Sequence, residues 1–281
     1  MFLITGSNGQ LAKEFQKFFR SKKIKFAAPS ETQLDITDFK KTQDVVSRFK
    51  PAVIFNCAAY NFVDDAEGKS SEAFRVNSSA VENLALVCRL QKILLVHYST
   101  DYVFDGKKGD FYNENDRPHP INKYGLSKLQ GELAVRRHLN KFLIFRLSWV
   151  FGGGKQNFLY KVRQWARKDA ILKINADEVS VPTYTKDIVD VTMRALKENL
   201  RGLYHLTNNG YASRYEWAKC FLKKSGFQNA VIPVPSDYFP TKAKRPLVSF
   251  MSNAKISKKL GIVIPSWEDA VDRFIKDLRA L

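Results

Sequence analysis

Met1-Phe2-Leu3-Ile4-Thr5-Gly6-Ser7-Asn8-Gly9-Gln10-Leu11-Ala12 opens the chain. The short apolar run Phe2–Thr5 passes into a glycine turn, and Leu11, Phe15, Phe18 and Phe19 then recur at helical spacing. A strand, a glycine turn and a helix in that order are the context in which a helix N-terminus receives a pyrophosphate. Gly6 supplies the tight turn, and at Gly9 a Cβ would fill the space that phosphates need. Ala12 stands at the third glycine position, where helix packs on strand and a methyl group is accommodated. Asn8, Gln10 and Leu11 complete the loop that would cradle a dinucleotide. The helix offers free N–H groups and about half a positive charge there.

Outward from this turn the pattern repeats. Ile24–Ala27 reads as a strand, Phe39–Phe49 as a helix, and Ala52–Asn56 as a strand announced by Pro51. Glu72–Leu90 reads as one long helix, Ile93–Tyr98 as a strand, Tyr124–Leu139 as a helix and Phe142–Arg146 as a strand. Apolar strands alternating with amphipathic helices predict an α/β, doubly wound parallel sheet of Rossmann-like type, with ligands at the strands' carboxyl ends. After Trp149 the rhythm loosens. Asn157–Arg167 and Lys186–Lys197 read as helices and Leu203–Leu206 as a strand. Ser213-Arg214-Tyr215-Glu216 is a capping box, and Ser266-Trp267-Glu268-Asp269 opens the last helix. Pro233, Pro235, Pro240 and Pro246 argue for loops between them. The organisation expected is a dinucleotide-binding domain of residues 1–152 plus about 172–206, with a smaller C-terminal substrate lobe of about 153–171 and 207–281.

Composition narrows the class. The 281 residues are 44% hydrophobic, and no apolar run approaches the ~20 residues of a membrane span. The N-terminus enters a strand at once, without a secretion signal. Cys57, Cys88 and Cys220 are odd in number and widely spaced, which suggests reduced thiols and a cytoplasmic location. Lys and Arg outnumber Asp and Glu by 46 to 28, a net charge of +18 that attracts polyanions. The bases are dispersed (Lys22-Lys23, Lys107-Lys108, Lys258-Lys259), and no nucleic-acid motif accompanies them. A phosphorylated cofactor with a diphosphate-bearing substrate fits better than nucleic acid. His97 reads as a strand histidine, the remaining three are scattered, and no metal-ligand cluster is expected.

The chemistry is suggested by Tyr124-Gly125-Leu126-Ser127-Lys128. Tyr124 and Lys128 share a helical face, with Asn122 as N-cap. An ammonium ~5 Å from a phenol at an effective dielectric of ~20 contributes roughly 3 kcal/mol, enough to lower its pKa by about two units. Such a phenol protonates an alkoxide as hydride arrives. Ser99 and Thr100 fall at the carboxyl end of a central strand, where a hydroxyl would hold the substrate oxygen. The second strand ends Ala27-Ala28-Pro29-Ser30, without the acid that would bind the ribose 2′-hydroxyl of NAD. NADPH is therefore favoured, with Glu31 close by and NADH left open.

With those motifs in place, the chain resembles the extended short-chain dehydrogenase/reductases, and within them the dTDP-4-dehydrorhamnose reductase family. The likeness spans nearly the whole chain. It is carried by Gly6-x-x-Gly9-Gln10-Leu11, Leu34-Asp35-Ile36-Thr37-Asp38, Asn56-Cys57-Ala58-Ala59-Tyr60, Val63-Asp64-Asp65-Ala66-Glu67, Ser99-Thr100-Asp101-Tyr102-Val103-Phe104, Tyr124-x-x-x-Lys128, Ser148-Trp149-Val150 and Arg245-Pro246. The resemblance implies hydride transfer from NADPH or NADH to C4 of a dTDP-4-keto-6-deoxy-L-sugar. It implies that Thr100 holds the keto oxygen, that Tyr124 donates the proton, and that Lys128 binds the nicotinamide ribose and tunes Tyr124. Asp35 and Ile36 would line the adenine pocket, and Ala58, Ala59 and Tyr60 would run beside the cofactor. Val63, Tyr102 and Trp149 would face the sugar, and Arg245 would meet substrate phosphate.

Some positions depart from the family pattern. Asp65 replaces a lysine, Glu178 a glutamine, and Leu147 a threonine or alanine, all near the expected sugar pocket. Some members form a metal-linked dimer through glutamates. Glu14 matches one of these, but Lys186 falls where another belongs, so a monomer or weak homodimer without metal is expected. Two alternatives stay open, each with its discriminator. A non-catalytic NADP-binding subunit on the same fold would bind cofactor without turnover. A nucleotide-sugar epimerase or dehydratase would retain cofactor through its cycle.

Overall fold

The computed structural model describes residues 1–279. Strand β1 (Phe2–Thr5) lies between β2 (Phe26–Ala27) and β3 (Val53–Asn56), parallel to both. Beyond β3 come β4 (Leu94–Thr100), β5 (Phe142–Leu147) and the strand Gly202–His205, completing a six-stranded parallel sheet. From β1 the chain goes out to β2 and then crosses back to β3. The strand order thus reverses between β1 and β3, where a crevice opens at the carboxyl ends.

Successive strand residues point to opposite faces, and the core divides accordingly. Leu3, Ile54, Leu95 and Ile144 meet Val45 and Val46 of α2 (Phe39–Phe49), Leu84 of α3 (Ala80–Gln91) and Val135 of α4 (Lys123–His138). Ile4, Phe55, Val96 and Phe145 meet Phe15 and Phe19 of α1 (Gln10–Ser21) and Ile188 of the helix Thr185–Lys197. The Phe15 and Phe55 rings lie 4.6 Å apart. Each such side chain stabilises the fold by about 1.5–3 kcal/mol on burial. A third cluster gathers Phe151, Trp217, Phe221 and Phe274 with Leu172 and Ile174. The strand Ile171–Asn175 therefore packs with C-terminal elements and not on the large sheet.

Two sequence expectations are corrected. Glu72–Leu90 is not one regular helix: Ser70–Phe74 is α-helical, Arg75–Ser79 is a π turn, and α3 follows. The wider turn accompanies an inward role for Asn77, whose side chain accepts from Tyr60 N and donates to Tyr60 O and Ser127 Oγ. No hydrophobic period reports such a bulge, because it answers to partners far off in sequence. The proline-rich C-terminal stretch is not all loop either. Ala230–Val234 forms a strand parallel to Ile171–Asn175. Both strands of a two-stranded sheet are edges, and an edge tolerates Pro233.

Helix α4 is seated unusually close. A Cβ on Gly125 would lie 2.1 Å from Tyr102 O, and one on Gly131 2.2 Å from Asn77 O. Between these contacts Lys128 reaches the sheet, and one turn on Glu132 accepts from Arg146 Nε (2.9 Å) and Nη2 (2.7 Å) on β5. Ser99 of β4 donates to the same carboxylate. Arg146 and Glu132 are both buried, so removing one partner strands the other charge in the interior. Glu132→Ala is expected to lose about 3–5 kcal/mol of unfolding free energy, read from the urea midpoint at unchanged m-value. A loss below about 1 kcal/mol would reduce the pair to the worth of a surface bridge.

Candidate active site

The glycine turn forms as its residue types require. Gly6 has φ +63°, and a Cβ there would come within 2.7 Å of the Ala58 backbone, so the turn after β1 rests directly on the turn after β3. Gly9 is the N-cap of α1 and offers no capping side chain, and the first turn of α1 carries no acid. The first intrahelical bond runs from Lys13 N to Gly9 O. The N–H groups of Gln10, Leu11 and Ala12 are thus without helical partners, with the positive end of the helix dipole behind them. A Cβ on Gly9 would stand 3.2 Å from Gly6 O and narrow the cradle. These residues fit the pyrophosphate of a dinucleotide.

That turn forms one end of a cleft of about 330 Å³ built from four strand ends. Gly9, Gln10 and Leu11 follow β1, and Cys57, Ala58, Ala59 and Asn61 follow β3. Ser99, Thr100 and Asp101 end β4, and Ser148, Trp149 and Val150 follow β5; Tyr124 and Lys128 look in from α4. Asn122 caps α4 as its sequence position predicts, accepting from Gly125 N at 2.7 Å. Trp149 is held at φ +39°, a region a non-glycine residue rarely adopts. A separate, shallower depression of about 510 Å³ beside Lys41 and Arg48 of α2 contains none of the candidate residues.

Lys128 is 3% exposed and donates to Tyr98 O at 2.6 Å. Burial pushes its pKa down to about 8, against pulls from Glu132 and Cys57. Here the electrostatic expectation is corrected. The Tyr124 phenol is not lowered by Lys128: desolvation pushes it up to about 12, with the Thr100 hydroxyl easing and Asp101 adding to the shift. The lysine's hydrogen bond goes to the strand carbonyl and not to the phenol. A raised pKa still leaves Tyr124 protonated at neutral pH, the form a proton donor needs. Thr100 donates to Asp101 Oδ1 (3.1 Å) and accepts from Tyr102 N (3.2 Å). Asp101 is buried, which raises its pKa, and it is steadied by Ser249 and Ser180 hydroxyls.

The other expected residues fall in two groups. Ala58, Ala59 and Trp149 form part of the cleft wall, whereas Gly6, Asn8 and Tyr60 lie outside it. Asp35 accepts from Thr37, and Ile36 sits in the core beneath α2 and α3. Tyr102 is buried behind Tyr124, ring edge to ring face at 5.8 Å, and Val63 is half-buried on the loop after β3. Arg245 is engaged by Asp64 at 2.6 Å. Sequence reasoning missed Asn61, whose Oδ1 accepts from Tyr124 Oη at 3.4 Å, although it directly follows the Ala58-Ala59-Tyr60 run. It also missed Asn56, which links Thr5 (2.7 Å) to His97 (3.1 Å) across three strands. His97 is buried, which holds its pKa well below the usual imidazole range.

The family model described as RmlD substrate binding domain matches residues 1–280. A dTDP-4-dehydrorhamnose reductase from Burkholderia thailandensis is 35% identical, covering 98% of both chains. The chain belongs to the dTDP-4-dehydrorhamnose reductase family. The spore coat polysaccharide biosynthesis protein SpsK of Bacillus subtilis is 30% identical over 98% of this chain and 96% of its own. The crystal structure of the Bacillus anthracis dTDP-4-dehydrorhamnose reductase in complex with NADP superposes with TM-score 0.95 at 34% identity, covering 98% of each chain. The Clostridium acetobutylicum ortholog gives 0.96 at 32%, covering 99% of each. A UDP-glucose 4-epimerase from Thermus thermophilus, 19% identical with TM-score 0.82, shares the fold.

Membership gives the Lys128 shift a consequence in pH. The buried amine sheds its proton near pH 8, whereas in the unfolded chain it does so near 10.5. Between those values the unfolded state holds more protons, so this group's contribution makes stability rise with pH. A catalytic role for the charged form of Lys128 predicts that kcat/KM for the dinucleotide, which reports the free protein, falls about tenfold per pH unit above ~8. A profile flat to pH ~9.5 would remove the Lys128 charge from the mechanism.

Proposed function

We propose that this protein is an NAD(P)H-dependent reductase of dTDP-L-rhamnose biosynthesis that delivers hydride to the 4-keto carbon of a dTDP-4-keto-6-deoxy-L-sugar, with NADPH as the favoured donor. The observation that carries the reading is the meeting, in one cleft, of an uncapped helix N-terminus with Thr100, Tyr124 and Lys128. The dinucleotide supplies the hydride when bound. Gln10 and Leu11 N–H groups would hold its pyrophosphate, Asp35 and Ile36 would flank the adenosine end, and Ala58, Ala59 and Tyr60 would follow its length. Lys128 offers its ammonium to the ribose on the nicotinamide side.

Thr100 turns its hydroxyl proton from Asp101 to the keto oxygen. Tyr124 Oη then gives its proton to that oxygen as negative charge builds there, so the carbonyl gains one hydride at carbon and one proton at oxygen. A phenol with a pKa of about 12 keeps its proton until the alkoxide demands it. Trp149 flanks the sugar, with Val63 and Tyr102 behind the inner wall. Residues 1–152 with about 172–206 would carry the cofactor and the remainder the substrate side, except that the strand Ile171–Asn175 packs with the C-terminal elements. The protein works in the cytoplasm as a monomer or weak homodimer. Lys186, ion-paired to Asp277, acts on the Glu14 carboxyl and supplies a cation where metal-linked relatives need another acid.

The test is loss of NADPH absorbance with dTDP-4-keto-6-deoxy-L-mannose, where no turnover with that or related 4-keto sugars would overturn the reading. Tyr124→Phe is expected to lower kcat by about 10²–10⁴ while leaving NADPH affinity within about twofold. An unchanged rate would take Tyr124 out of the mechanism.

A further inference from the structure

Two arginines stand toward the substrate side of the cleft, and they differ in how their donors are used. Arg245 is engaged through both Nη atoms: its guanidinium donates to Asp64 Oδ2 (2.6 Å), Asp64 Oδ1 (3.2 Å) and Ala243 O (3.2 Å). Arg214 is not. Its guanidinium lies 3.7 Å from the centroid of the Trp149 ring, which forms part of the cleft wall. Phe158 and Trp217 surround it at 5.1 and 5.8 Å. Among the described residues no acceptor takes a hydrogen bond from the Arg214 side chain. Its carboxylate partner, Glu178, forms only a loose ion pair, 3.9 Å from Nε and beyond hydrogen-bond reach.

This group is held in place, not loose. Only 22% of the Arg214 side chain is exposed. Its backbone is the first residue of the helix Arg214–Lys224, fixed by the Ser213–Glu216 capping box, and its own N–H donates to Glu178 O. The positive charge acts on Tyr102 and on Asp101, the latter a residue of the cleft wall. A guanidinium has five N–H donors in a planar fork that matches phosphate oxygens. None of the Arg214 guanidinium nitrogens is sealed from solvent, so the fork is held half-buried, fixed in place and open to an incoming anion.

We propose that Arg214 is the diphosphate anchor of the nucleotide-sugar substrate: its fork grips phosphate oxygens while Trp149 fixes its face and Glu178 stands back as counter-charge. This rests on the nucleotide-sugar reading above and adds which residue of this chain carries the anionic part. It also moves the phosphate contact from Arg245, whose Nη atoms are already bound to Asp64 and Ala243 O.

The experiment is calorimetric binding of dTDP and of thymidine to the full chain, with NADPH as control. Arg214→Met is expected to weaken dTDP by about ten- to hundredfold, the worth of one or two charge-assisted hydrogen bonds, while thymidine and NADPH stay within about twofold. Arg214→Lys, which keeps charge but not the fork, is expected to recover only part of the loss, and it decides the matter alone if the methionine variant fails to fold. Equal losses for dTDP and thymidine, or an unchanged dTDP affinity, would overturn the anchor. Turnover with an Arg214-independent dTDP affinity removes the anchor alone. Arg214-dependent dTDP binding without turnover on any 4-keto sugar removes the reductase reading and leaves the anchor standing.

Discussion

Helix α4 touches the body of the protein with its backbone at two places, and that close seat decides where the chemistry lies. Gly125 admits the Tyr102 carbonyl, and Gly131 admits the Asn77 carbonyl; any side chain at either position would collide at about 2 Å. Between them Ser127 meets Asn77 and Lys128 meets the Tyr98 carbonyl, and just beyond them Glu132 meets Arg146 and Ser99. The run from Tyr124 to Glu132 is thus a docking surface residue by residue, with Tyr124 left at the rim to face the cleft. The π turn at Arg75–Ser79 belongs to the same seat, since it presents Asn77 both to Ser127 and to the Tyr60 backbone.

The seat has an electrostatic consequence. An amine placed under the sheet's carboxyl edge gives up proton affinity to burial, and its Tyr98 contact is to a neutral carbonyl. The phenol nearby is also desolvated and holds its proton more tightly. Burial therefore divides the pair, with the amine ready to lose charge at mildly alkaline pH and the phenol retaining its proton. A donor that releases its proton only to a strongly basic oxygen suits a reaction in which hydride arrival creates an alkoxide. The basic excess of the chain, dispersed over the surface, suits polyanionic ligands without selecting one. Selection falls to half-buried positions such as Arg214, where the fork geometry is fixed.

Much of this was legible in the sequence, for a physical reason. β1, α2 and the start of α1 announce themselves through local periodicity, and the boundary between β1 and α1 follows from Gly6 and Gly9. Asn122 and Ser213 were readable as caps because capping is a bond three residues long. The cleft itself was legible through the rule that strand ends converge. What escaped depends on distant partners. The bulge that turns Asn77 inward, the strand carrying Pro233 and the acceptor position of Asn61 leave no periodic trace. The effect of Lys128 on Tyr124 was misjudged because helical spacing gives proximity but not burial, and burial dominates here. Arg245 and Arg214 look alike as letters; only their neighbours show that one is hydrogen-bonded to its carboxylate at 2.6 Å and the other is loosely paired at 3.9 Å.

A crystal structure of the protein with NADP and dTDP-L-rhamnose tests the central claim most directly. The account expects the sugar O4 within about 3.2 Å of both Tyr124 Oη and Thr100 Oγ1, with the pyrophosphate on the Gln10 and Leu11 N–H groups and the Lys128 amine at the nicotinamide ribose. A complex in which Tyr124 Oη turns away from O4, or in which α4 shifts off Tyr102 and Asn77 to admit the ligands, would contradict it.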